Sequence, residues 1–128
     1  MRRIATVTLL VPDYEAGIAF FVGRLGFALL SDAPVGGGKR WVVVGPADGG
    51  CRLLLARTAD AAQRAAIGRQ AGGRVFLFLE TDDFARDHAA MIAAGVEFLE
   101  PPRREAYGLV AQWRDPFGGL WDLIQPFP

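Results

Sequence analysis

The chain has 128 residues, 52% of them hydrophobic, and its 14 Lys plus Arg residues balance 14 Asp plus Glu. That length and apolar content suit one domain over residues 1–128 with a buried core. The even charge balance, with no block of like sign, excludes the basic footprint of a nucleic-acid or anionic-membrane binder, and no stretch is long and apolar enough to predict a membrane span.

The start Met1-Arg2-Arg3 leads directly into strand-like residues with no apolar leader, and Cys51 is the lone cysteine, so a cytoplasmic, disulfide-free protein is expected. From Ile4 to Val11 the sequence alternates, with Thr6 and Thr8 on one face and Val7, Leu9 and Val11 on the other, as in a half-buried strand. Pro12-Asp13 ends it. Asp13 then reads as the N-cap of an amphipathic helix with an apolar stripe at Ile18, Phe21, Val22 and Leu25, and Gly26 as its left-handed exit. Strands are expected at Phe27–Leu30, Arg40–Val44 and Cys51–Ala56. Gly36-Gly37-Gly38 reads as a flexible loop, because it lacks the flanking elements and the lysine of a phosphate loop.

Residues 57–73 form an expected linker with a short Ala-rich helix near Asp60–Ile67, dividing a first module (1–56) from a second (74–128). The second repeats the plan of the first. Arg74–Leu79 reads as a strand, and Asp82–Ala94 as a helix with Phe84, Met91 and Ile92 toward the sheet. Val96–Leu99, Leu109–Trp113 and Leu120–Gln125 supply further strands, the last two joined by the turn Asp115-Pro116-Phe117-Gly118-Gly119. The pairs Asp13-Tyr14 and Asp83-Phe84 open the two helices, and Gly26 and Gly95 close them. The expected class is therefore α+β, two βαβββ modules of eight strands in all, whose curled sheets surround a shared cleft.

Three phrases carry a resemblance: Asp13-Tyr14-Glu15-Ala16-Gly17-Ile18-Ala19-Phe20-Phe21 with Leu25-Gly26-Phe27, then Asp83-Phe84-Ala85-Arg86, then Arg114 to Leu123. Together they are similar to the vicinal oxygen chelate superfamily of glyoxalases, bleomycin-resistance proteins, extradiol dioxygenases and fosfomycin-resistance enzymes. The resemblance implies a homodimer and a pocket in which a divalent metal is held by His, Gln or Glu side chains. It places the ligand positions at Thr6, at Arg74, at Asp122 and near Leu53–Leu55. Only Asp122 is a metal-binding carboxylate, and a guanidinium at Arg74 repels a cation, so neither metal nor other cofactor is expected.

Strand parity puts Phe76, Phe78 and Glu80 on the cavity side of their strand, and Val110 and Gln112 with Asp122, leaving Trp113 behind. The expected ligand pocket is Thr6, Thr8, Arg74, Phe76, Phe78, Tyr107, Gln112 and Asp122, with Tyr107 a hydroxyl donor at its mouth and Arg74 either an anion anchor or an exposed strand start. His88 and Cys51 read as structural. Trp41 and Trp121 are candidates for a dimer contact. The expected function is small-molecule binding, with or without catalysis, by a metal-independent member of the superfamily. The alternatives are a metal-dependent lyase or dioxygenase, and an antibiotic-binding resistance protein, whose acidic groove for a cationic drug is at odds with the balanced charge.

Overall fold

A computed structural model describes residues 1–128, in two compact units, 1–67 and 68–128.

In the first unit the strands β1 (Thr6–Val11), β2 (Ala28–Gly36), β3 (Lys39–Gly45) and β4 (Arg52–Arg57) form one sheet in the order β1-β4-β3-β2. β1 and β4 run parallel, and the other pairs are antiparallel. The parallel pair needs a crossover, which helix α1 (Tyr14–Phe21) supplies. Asp13 caps it as expected, its carboxylate accepting from the Ala16 N–H at 2.7 Å, and Gly26 leaves the segment at φ +84°. The buried face of α1 differs from the expected stripe: it is Tyr14, Gly17, Phe20 and Phe21, while Ile18, Val22 and Leu25 are half-buried. The reason is Gly17, where a Cβ would stand 2.8 Å from Leu55 Cδ1 and 3.4 Å from Val11 Cγ1. Its bare backbone lets the helix approach the sheet, and Leu9, Val11, Val42, Val44, Leu53 and Leu55 fill the layer beneath.

Gly36-Gly37-Gly38 is a tight hairpin turn between β2 and β3 rather than a loose loop, and all three glycines have positive φ. The short helix expected after Arg57 is α2 (Ala61–Ala66), which Asp60 caps and which packs toward β1.

The second unit repeats the wiring with β5 (Val75–Glu80), α3 (Phe84–Ala93), β6 (Glu97–Phe98), β7 (Arg103–Glu105), β8 (Gly108–Arg114) and β9 (Leu120–Pro126). Its order is β5-β9-β8-β6, with β7 also on β8 and β5 parallel to β9. Asp83 caps α3 by accepting from the Arg86 N–H at 3.0 Å, and Gly95 repeats the left-handed exit at φ +83°. The strand count is nine, not eight. Pro101-Pro102, which have no N–H to give a ladder, split the strand beside β8 into β6 and β7. Phe84 and Met91 face the core of α3 as expected, but Ile92 is 52% exposed, one residue past the buried stripe.

Trp113 and Trp121 stack 4.7 Å apart on the helix-covered face and are buried, which removes Trp121 as an interface candidate. The Asp115 turn holds them. Its carboxylate accepts from the N–H groups of Phe117 at 2.8 Å and Gly119 at 3.0 Å, and from Trp121 Nε1 at 2.9 Å. Burial pushes the Asp115 pKa up and these hydrogen bonds oppose the shift. His88 stacks on Phe84 at 5.4 Å and meets Phe98 edge-on at 4.5 Å, a packing role.

Candidate functional site

Each sheet has one face under its helix and one face without, and strand alternation decides which side chains stand on the second. In the second unit the register sets Asp122 on β9 opposite Gln112 on β8 and Phe78 on β5, so the three form a row across the sheet. They alternate with Trp113, Trp121 and Leu123 of the helix side. Ile124, Val110 and Arg103 form the next row.

Asp122 is 8% exposed, and its Oδ1 is buried with no hydrogen-bond partner. Burial raises its pKa; the positive charge of Arg103 opposes this and the negative charge of Glu100 adds to it. Glu100 accepts from Arg103 Nε at 2.7 Å and from the Gln112 backbone N–H at 3.2 Å, and Arg103 also donates to Glu105 at 2.8 Å. Phe78 is 64% exposed beside this cluster. A carboxyl group with an unused acceptor next to an exposed ring can take a hydroxyl or N–H donor from an apolar molecule. Sequence parity identified Phe78, Gln112 and Asp122 as neighbours but missed Glu100 and Arg103. Glu100 lies in the break just before the two prolines and Arg103 opens β7 just after them, where alternation gives no signal.

The remaining expected residues are placed less directly. Phe76 is half-buried and is the extra residue of a bulge, since Val75 pairs with Leu120 and Leu77 with Trp121. Arg74 is exposed ahead of β5. Tyr107 is exposed in the turn before β8 and interacts with Arg103 through its side chain. Thr6 and Thr8 are exposed on β1, opposite Arg52 and Leu54, on the face turned from α1. Of the positions the resemblance assigns to a metal, only Asp122 carries a carboxylate. No group of three or more His, Cys, Asp and Glu side chains comes together to hold an ion, so these residues do not fit the metal of the resemblance.

The first unit carries a cavity of about 520 Å³ that the sequence did not signal. β3 and β4 pair only over Val42–Val44 and Leu53–Leu55. Beyond that stretch Arg40 and Trp41 flank one side of the cavity and Ala56 and Arg57 the other. Tyr14 lies among them, its hydroxyl accepting from the Arg40 backbone N–H at 3.2 Å. The guanidiniums of Arg40 and Arg57 sit 5.2 and 5.1 Å from the centre of its ring.

Duplicated βαβββ units, each with a helix on one sheet face only, define an α+β protein of the glyoxalase and bleomycin-resistance type. Residues 3–123 match the Glyoxalase/Bleomycin resistance protein/Dioxygenase superfamily, and the chain belongs to it. A protein of Shewanella frigidimarina (strain NCIMB 400) is 48% identical over 126 residues, covering 97% of this chain and 93% of that one. The crystal structure of UcmS2 superposes with a TM-score of 0.82 at 27% identity, over 97% of this chain and 98% of the other. That of TnmS3, an antibiotic binding protein from Streptomyces sp. CB03234, does so at 0.79 and 29%, over 99% and 98%.

Proposed function

We propose that this protein binds a small, partly aromatic molecule without a resident metal, as a sequestering protein. The observation that carries the reading is the buried, unpartnered Oδ1 of Asp122 next to the exposed ring of Phe78. Leaving such an oxygen unsatisfied costs about 1–3 kcal/mol, which a ligand hydroxyl or amine recovers where a small shift of the side chain admits it to Oδ1. The similarity to an antibiotic binding protein supports a small-molecule ligand, and the absence of a cluster of ligating side chains supports binding without a metal. A single cysteine, Cys51, suits a reducing compartment such as the cytoplasm.

The test is a thermal-shift screen of aromatic antibiotics and phenols, run with and without EDTA. The expected hits raise the melting temperature equally in both arms and lose most of that rise in Asp122→Ala. Elemental analysis returning close to one zinc, manganese, iron or nickel per chain overturns the metal-free reading and favours a lyase or dioxygenase. Assembly as a homodimer belongs to the same proposal. Leu29 and Leu30 are exposed on β2, apolar surface that a second copy would cover. Light scattering at micromolar concentration should return twice the chain mass, and a monomer mass refutes it.

A further inference from the structure

The cavity of the first unit has a charge pattern distinct from the Asp122 face. Three cationic residues line it, Lys39, Arg40 and Arg57, and no carboxylate does. Arg40 is neutralised from outside, by Asp32 at 2.7 Å and by Glu15. The other two are not. Arg57 donates to the Gly38 carbonyl at 3.2 Å and rests on the Tyr14 ring, but has no acidic partner. Lys39 is exposed and makes no ion pair. Apolar walls complete the cavity: Trp41, 48% exposed, with Val35, Leu54 and Ala56.

We infer that this cavity is a binding site for an aromatic carboxylate, whose ring lies against Trp41 and whose anion is held by Arg57 and Lys39. Three features converge on that ligand. The size suits a molecule of one or two rings, since small-ligand pockets run from about 300 to 1,000 Å³. A guanidinium matches a planar carboxylate, and Arg57 is held in place by the ring of Tyr14 and the turn carbonyl, so little side-chain freedom remains to be lost on binding. An exposed indole on a strand offers the face on which a flat ring stacks. The site stands apart from the Asp122 reading and uses none of its residues.

Isothermal titration calorimetry with 2-naphthoate and the uncharged 2-naphthamide separates charge from shape. The expected result is saturable binding of one naphthoate per chain, at least about tenfold tighter than the amide and weakened by salt. Arg57→Gln and Lys39→Gln should each reduce the preference for the acid several-fold and leave amide affinity unchanged, whereas Trp41→Ala should weaken both probes. Should Arg57→Gln fail to fold by circular dichroism, Lys39→Gln decides, because that exposed side chain makes no ion pair or hydrogen bond that the fold depends on. Absence of saturable naphthoate binding, equal affinity for the two probes, or an unchanged preference in the folded variants each overturns the assignment.

Discussion

In the first unit the centre of α1 lies on apolar residues of the sheet, brought close by Gly17 and filled by Phe20, Phe21, Leu55 and three valines. In the second, polar groups do much of the same work. The Gln125 side chain accepts from the Phe84 N–H at the start of α3, Thr81 bonds to Asp87, and the Asp115 carboxylate ties a turn to a buried tryptophan. Both buried carboxylates of the chain, Asp115 and Asp122, are in this unit, while the first unit places uncompensated cations around a cavity. The shared wiring follows from backbone rules that repeat: a parallel pair needs a crossover, the helix needs a cap, and its end needs a left-handed glycine. Side-chain chemistry is under no such rule, so the two copies could diverge in what they hold.

The sharpest way to break this contrast is Asp115→Ala. Three donors lose their acceptor, two of them buried, and stability should fall by about 3–4 kcal/mol in urea unfolding; a loss below about 1 kcal/mol would show that the turn stands without its carboxylate. Next is Gly17→Val, which forces atoms into the space between α1 and Leu55. A cost of about 1–3 kcal/mol is expected, and a neutral result would mean that the helix is free to lift. The caps sharpen the shared part of the comparison. Asp13→Ala and Asp83→Ala should each cost about 1 kcal/mol, and a clear inequality would show that the two helices depend on their first turns differently.

The smallest effect is pH-dependent. Because burial raises the Asp122 pKa above its unfolded value, the native state holds this proton more tightly, and ionising the group costs stability as pH rises from the unfolded to the folded pKa. Asp122→Asn lacks that penalty. Its stability relative to wild type should therefore grow from below pH 4 toward neutrality, read from urea midpoints at several pH values, and a constant difference would mean that the carboxyl is not penalised.

Much of the architecture was legible because it is written in short-range signals. Asp13 and Asp83 announced their helices, Gly26 and Gly95 ended them, and alternation around Asp122 set Gln112 beside it. The buried face of α1 was misread because glycine carries no hydrophobic signal, although Gly17 is the point of closest packing. β7 was missed since Pro101-Pro102 interrupt the alternation that defines a strand. The cavity at Tyr14 had no local signature at all. It depends on where the β3–β4 ladder stops, and Arg40 and Arg57 are far apart in sequence.

The proline pair has a consequence for how the chain behaves in a crowd. A continuous outer strand presents a row of unused donors and acceptors on which another polypeptide can lay itself down, the first step toward fibrils. Beside β8 that row is cut into two and three residues, with no N–H at Pro101 or Pro102 between them. Growth of this sheet by stacking further chains along that border is blocked at its midpoint, so the interruption that hid a strand from view also guards the protein against polymerising through it.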